Sequence, residues 1–454
     1  MSVRCEETSA ARRNGEPVET KLHRIAEKAR NDPYFKFTSL YHLMNEELLR
    51  ECFKRLRKGA AAGIDETTRD IYAENLDVNL TDLTGRLHRM AYIPQPVRRV
   101  YIPKPGSDKQ RPLGIPTLED KLVQAGLVRI LEQVYEQDFI GDSYGFRPHR
   151  SAHDALKALS DTMGSRPVNH IVEADIKGFF DNVSQEWMMK FLAHRIGDKR
   201  MLRMVKRFLK AGVSEDGNVT VKDEGTPQGG VISPLLANIY LHYALDLWFE
   251  KVYRKSCTGY ARLIRFADDF VACFQYKQEA ERVREELGKR LGKFGLEVEP
   301  TKTRVMEFGP FAAQNARQRG KRAQTFDFLS FTHYCGTRRD GKGFRMKRVT
   351  ARKKFIAKLK DFKEWLKKAR TLKTKELWET AKAKLRGHYN YYGVTDNLRG
   401  IVRFGFEVHK LLFKWLNRRG KSNCLNGEKF KQMLKRYPLP KPRIRVRMFE
   451  SSVN

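Results

Sequence analysis

Residues 263–274 read LIRFADDFVACF, two short apolar runs that meet at the adjacent carboxylates Asp268 and Asp269. Runs of this length with aromatic and β-branched members suit strands, so the stretch predicts a β-hairpin with both acids at its tip, although it has no glycine to ease the turn. Upstream, residues 170–176 read HIVEADI. A strand there puts Ile171, Glu173 and Asp175 on one face and Val172, Ala174 and Ile176 on the other, with Asp175 at the strand end. Carboxylates from separate elements matter because Mg²⁺ takes oxygen ligands in octahedral geometry, and one short segment cannot surround two ions. Two such ions, roughly 3.5–4 Å apart, clamp the attacking and leaving oxygens of a phosphoryl transfer, which asks little covalent chemistry of the protein. Asp175, Asp268 and Asp269 are therefore candidate catalytic and metal-binding residues, provided that their strands are neighbours. Taken singly, they are indistinguishable from ordinary loop acids.

The rest of the composition names a partner for such a site. In 454 residues, 89 Lys and Arg face 54 Asp and Glu, a formal charge of +35, while 41% hydrophobic residues are enough to build a folded core. Self-repulsion on this scale is a cost unless a polyanion answers it, and nucleic acid is the leading candidate. Six scattered cysteines (Cys5, Cys52, Cys257, Cys273, Cys335 and Cys424) contain no Cys-x-x-Cys pair, which argues against a zinc ribbon or a disulfide framework and fits a reducing cytoplasm. The polar N-terminus does not resemble a signal peptide, and no apolar run approaches the roughly 20 residues of a membrane span.

Along the chain, residues 1–32 carry many charges and little apolar periodicity, predicting a mobile tail or a loosely docked helix. Leu40, Leu43, Leu48, Leu49, Phe53 and Leu56 mark an amphipathic helix between residues 37 and 57, which the loop at 59–65 ends. Residues 97–105 (VRRVYIPKP) alternate like a strand, and 110–116 (QRPLGIP) read as its return arm after a turn at Gly106. A helix follows from Leu118 to about Asp138. Beyond about residue 345 basic helices are expected, with Phe355, Leu359, Phe362 and Leu366 recurring at helical spacing among lysines.

Two further features fit nucleotide chemistry. Phe179 and Phe180 follow Asp175 closely, where an aromatic can pack under an incoming sugar and exclude a 2′-hydroxyl, while the other serves the core. Residues 225–230 (GTPQGG) combine a glycine-permitted backbone with the amide of Gln228 ahead of an apolar helix at 233–241.

Seven blocks then stand in a telling order: 104–116 (KPGSDKQRPLGIP), 145–156 (GFRPHRSAHDAL), 174–183 (ADIKGFFDNV), 225–241, 265–270 (RFADDF), 294–302 (FGLEVEPTK) and 326–333 (FDFLSFTH). In this order they resemble the conserved blocks of reverse transcriptases, of the bacterial group II intron-encoded reverse transcriptase/maturase type, from about residue 35 to 440. The resemblance implies an α+β right-hand polymerase, with fingers and palm over 33–310, the end of the palm and a linker over 311–344, an all-helical thumb or maturase (X) domain over 345–435 and a basic tail over 436–454. It implies RNA-directed DNA synthesis on two Mg²⁺ ions, with Mn²⁺ able to substitute. Asp175, Asp268 and Asp269 fall on the catalytic carboxylates, Phe180 on the sugar-gating aromatic and Gln228 on the nucleotide-contacting glutamine. Lys104 and Arg111 fall on the positions that hold the triphosphate, a task for a point charge and a forked guanidinium. Lys302 matches a lysine suited to protonate leaving pyrophosphate. The implied partners are an RNA template, the intron RNA, a DNA or RNA primer and dNTPs. Phe266 stands where the family most often has tyrosine, which keeps the packing and drops a hydroxyl. The chain ends without a zinc nuclease module, so no endonuclease of its own is expected.

The C-terminal third supplies candidate RNA contacts. Lys347, Arg348, Arg352, Lys353 and Lys354 form a dense run suited to tracking a phosphate backbone. Residues 385–394 (LRGHYNYYGV) interleave Arg386 with Tyr389 and Tyr391, a composition that can stack on unpaired bases, although tyrosines at near-helical spacing also pack helices. Two competing functions share these features: an RNA-binding splicing factor or scaffold that has lost polymerase activity, and a domesticated or defence-associated reverse transcriptase with another template.

Overall fold

The computed structural model describes residues 16–103, 110–215, 218–220, 225, 229–338, 340–418 and 425–449. The described residues begin with the α-helices α1 (Val18–Asn31), α2 (Glu46–Arg55), α3 (Arg69–Ala73) and α4 (Leu76–His88). Strands β1 (Val97–Pro103) and β2 (Gln110–Ile115) pair antiparallel, as the alternation predicts, and lead into α5 (Leu118–Asp138) and α6 (Ala152–Ser165). Next come β3 (His170–Asp175), α7 (Gln185–Arg195), α8 (Lys199–Leu209), the short β4 (Val213–Glu215) and β5 (Asn218–Thr220), and α9 (Ser233–Leu241). The predicted hairpin forms as β6 (Ala261–Phe266) and β7 (Asp269–Phe274), followed by α10 (Lys277–Gly292), β8 (Arg304–Glu307) and α11 (Ala312–Gln318). Strands β9 (Thr325–Phe328), β10 (Phe331–Thr337) and β11 (Phe344–Thr350) precede the helices α12 (Arg352–Ala369), α13 (Thr374–Tyr392), α14 (Leu398–Leu416) and α15 (Gly427–Arg436).

Three sheets organise these elements, with strand orders β2-β1-β4-β5, β6-β7-β3-β8 and β11-β10-β9. The middle one is antiparallel throughout and divides the interior in two. Because neighbouring residues of a strand point to opposite faces, Val172, Ala174 and Ile176 join a core with α5, α7 and α9, while Ile171 joins a second core with the β9–β11 sheet and the C-terminal helices. The fold is thus mixed α+β, with helices gathered at its C-terminal end.

Of the two forms expected for the N-terminal stretch, residues 18–31 take the docked helix: Val18, Leu22 and Ala29 are at most 2% exposed, because the apolar positions of α1 recur at helical spacing and pack on α5. Two other expectations need correction. The C-terminal helices begin at Arg352, not 345, since β10 holds β11 in register through Thr350. Residues 437–449 return to the helices: the Arg445 N–H donates to the Gly393 carbonyl at 2.6 Å, and Met448 is fully buried.

Leu22→Ala should therefore lower stability by about 2–4 kcal/mol, as expected for a buried leucine. Urea denaturation of the full chain measures it; a change below about 0.5 kcal/mol, typical of surface positions, would mean that α1 does not dock.

Candidate active site

The β6–β7 turn consists of Ala267 and Asp268, flanked by the paired residues Phe266 and Asp269. Ala267 has φ 56°, a left-handed value that costs an L-residue roughly 1–2 kcal/mol and that glycine more often supplies in tight hairpins. Asp269 heads β7 directly opposite Asp175 on β3, so the two side chains share a face of the sheet. The strands are neighbours, as the metal-site reading requires. Asp268 stands in the turn beside them.

The electrostatics follow from this placement. Burial pushes the Asp269 carboxyl up to about 7, with the Asp268, Asp175 and Glu173 charges adding and a hydrogen bond from the Leu329 N–H opposing. Burial also raises Asp268, which Asp175 reinforces and Arg111 and Arg265 counter. Asp175 is half-exposed and accepts a hydrogen bond from Lys302 Nζ, whose own pKa rises mainly through that bond. The Glu299 N–H donates to the Asp175 carbonyl at 2.8 Å and so ties the Lys302 segment to the end of β3. Among the described residues, no three His, Cys, Asp or Glu side chains are gathered as a ready-made metal cage. The donor set nonetheless fits Mg²⁺: all oxygen, drawn from two strands, carrying like charges, and already attracting one lysine cation.

The aromatic pair divides as expected. Phe179 is 2% exposed and meets Tyr240 edge-on, while Phe180 is half-exposed against Phe179 at 5.2 Å. Gly225 donates its N–H to the Val183 carbonyl at 2.8 Å, which seats one end of the 225–230 loop beside Phe180. The other end lies against β2, where a Cβ on Gly229 would come within 2.3 Å of the Gly114 carbonyl oxygen. Arg111 is exposed on β2 and acts electrostatically on Asp268. Lys104 and Gln228 lie outside the described residues.

Sequence reasoning missed the group that holds the hairpin. Arg265 is 1% exposed and spends every N–H of its guanidinium: Nε and Nη2 on Asp246 at 2.7 and 2.5 Å, Nη1 on Asn238 Oδ1 at 3.1 Å and the Ala267 carbonyl at 2.8 Å, and Nη2 also on Ser143 Oγ at 2.7 Å. Asp246 is offered by a π-helical stretch, His242–Asp246, that continues α9. From below, the turn rests on Gly145, where a Cβ would lie 2.3 Å from the Ala267 nitrogen. The signal was present: an arginine inside an apolar strand run must find a carboxylate or pay for burying its charge.

The candidate RNA contacts separate by exposure. Arg352, Lys353 and Lys354 are exposed on the first turn of α12, which has no side-chain cap and no acid. Arg386 is exposed, and Lys347 is half-buried with its stem over Gly336. Arg348 is corrected: it is 0% exposed, reaches the Ser160 hydroxyl and the Leu156 carbonyl, and cannot touch a phosphate, because strand alternation turns it into the second core. Tyr389 is likewise interior at 1% exposure, with its hydroxyl against Gly405. Tyr391 is half-buried and donates its hydroxyl to the Leu329 carbonyl at 2.9 Å.

Asp175 and Asp269 paired across an antiparallel sheet, with Asp268 in the adjoining turn and Arg111 of β2 acting on it, suit nucleotidyl transfer by a polymerase core. Residues 102–333 match the family model described as "Reverse transcriptase (RNA-dependent DNA polymerase)", and the chain belongs to that family, in its group II intron type. It is 41% identical over 230 residues to the group II intron-encoded protein LtrA of Lactococcus lactis subsp. cremoris, an alignment covering 50% of this chain and 38% of LtrA. It is 34% identical over 316 residues to protein YkfC of Escherichia coli, covering 62% of this chain and 83% of YkfC. Identity to the nuclear intron maturase 2 of Arabidopsis thaliana is 26% over 172 residues, 29% of this chain and 23% of that protein. The chain thus spans well under half the length of LtrA.

Arg265→Met should cost about 3–5 kcal/mol, since it strands the buried Asp246 charge. Thermal denaturation of the variant beside Asp246→Asn reads this; a neutral Arg265→Met would mean that the pair does not hold the turn.

Proposed function

We propose that this protein copies RNA into DNA, using Asp175, Asp268 and Asp269 as the metal-holding carboxylates. The observation that carries the reading is the register of Asp175 against Asp269, with Asp268 in the adjoining turn and Lys302 and Arg111 acting on the same carboxylates. Two Mg²⁺ ions held there would supply Lewis-acid stabilisation of the attacking and leaving oxygens. The chain's own residues do the rest. Arg111, with Lys104, binds the triphosphate of the incoming dNTP; Gln228 contacts the nucleotide; Phe180 packs under its sugar. Lys302, kept protonated by Asp175, is placed to give a proton to pyrophosphate as it leaves.

In this reading the segment from 33 to 310 forms fingers and palm, and the helices from Arg352 onward form the thumb or maturase domain that brings the RNA. Exposed Arg352, Lys353, Lys354 and Arg386, with Lys347, neutralise phosphates. The names of LtrA and of the Arabidopsis maturase support an intron RNA as partner, with assistance to splicing and mobility as the wider role. No described helix is long and apolar enough to cross a membrane.

Asp175→Asn and Asp268→Asn should each reduce primer extension on an RNA template to below about a thousandth of wild type, in keeping with the loss of transition-state charge stabilisation, while RNA affinity stays near wild type. If wild-type protein with Mg²⁺ and dNTPs makes no cDNA yet both variants bind RNA normally, the binding-only function holds instead. Phe180→Val should admit ribonucleotides, read as the ratio of kcat/KM for a dNTP and its rNTP; an unchanged ratio would place Phe180 with the core.

A further inference from the structure

A cleft of about 520 Å³ lies between α12, α13, α14 and the β9–β10 turn, and its size is that of a ligand site. One wall is aromatic: His388 stacks on Phe404 with centroids 3.5 Å apart and planes 9° from parallel, and Tyr391 stands alongside. Exposed Lys358 and Lys384 line the same cleft, with Asp361. His388 is only 8% exposed, yet its Nε2 has no hydrogen-bond partner among the described residues. That nitrogen is closed to solvent, so the imidazole serves the cleft as part of its packed aromatic wall. Burial, helped by the Lys358 charge, keeps the imidazole neutral.

We propose that this cleft takes one unpaired nucleotide of a bound RNA, its base against the His388, Phe404 and Tyr391 wall, and its phosphate neutralised by Lys358 and Lys384. Aromatic faces interleaved with cations are the composition that holds unpaired nucleotides. A purely apolar ligand would gain nothing from two lysines. A duplex offers neither a free base face nor an unpaired edge. The Asp361 carboxylate accepts from an exocyclic amine and so favours adenine, cytosine or guanine over uracil. The site also borders the catalytic hairpin: Tyr391 donates to the Leu329 carbonyl, and the Leu329 N–H donates to Asp269.

The proposal rests on RNA binding by this protein, not on its polymerase activity. Gly387 lines the cleft, and a Cβ built on it meets nothing within 4 Å. Gly387→Leu therefore adds a side chain at the cleft whose Cβ meets no other atom, and it removes a helical glycine, which favours folding. The full chain is irradiated with single-stranded oligo(U) RNA carrying one 8-azidoadenosine, and the crosslinked peptides are mapped. Crosslinks are expected at His388, Tyr391 or Phe404, falling about tenfold in Gly387→Leu, the effect of losing one stacked base, and falling also in Lys358→Ala, with circular dichroism unchanged in both. RNA that binds but crosslinks only elsewhere, or crosslinks equally in Gly387→Leu, overturns this proposal alone. Protein that binds no RNA at low salt overturns the RNA reading along with it.

Discussion

The structure turns on a repulsion that it does not avoid. Asp175 and Asp269 are set opposite each other on adjacent strands, with Asp268 in the turn between β6 and β7. Two unit charges about 5 Å apart repel by roughly 3 kcal/mol at an effective dielectric of 20. The surroundings answer that cost piece by piece. Lys302 pairs with Asp175, the Leu329 N–H bonds Asp269, and the Arg111 and Arg265 charges act on Asp268. Burial pushes the Asp269 carboxyl up, the direction in which its own charge is reduced. What remains is a negatively poised, oxygen-lined centre, the condition under which divalent cations bind.

Holding three acids in that arrangement requires a rigid turn, and rigidity comes from outside the hairpin. Arg265 reaches across its own turn to the Ala267 carbonyl while anchored to Asp246 and Asn238 from the helix that follows the 225–230 loop, and to Ser143 beside Gly145. Stretches of sequence far apart in the chain thus meet on one guanidinium. The backbone contact of Gly145 with Ala267 and that of Gly229 with Gly114 leave no room for a side chain, so these positions tie the β6–β7 turn and β2 to their neighbours through close approach of main chains.

The C-terminal region separates two uses of positive charge. On the first turn of α12, Arg352, Lys353 and Lys354 oppose the helix dipole, an arrangement that weakens the free helix and suits a bound polyanion. Arg348, a few residues earlier, is spent inside the protein, joining β11 to α6. The cleft beside His388 lies between these extremes, with charge at its edge and a packed aromatic wall within.

Much was legible in the residues alone. The β6–β7 hairpin, the return arm of β1 and β2, the helix over 118–138 and the alternation of β3 all follow from local periodicity, and local periodicity is visible in a string. The order of seven motifs indicated the family, which no single aspartate could. Docking of α1, burial of Arg348 and Tyr389, and the role of Arg265 were decided only by tertiary structure. Each depends on what stands across from a side chain, and a charged residue at a strand position reads the same whether its partner is water or a buried carboxylate. Asp269 shows the difference most directly: burial in the folded protein does most to raise its carboxyl, the Leu329 backbone opposes, and Asp175 on another strand adds to the charge of its sequence neighbour Asp268.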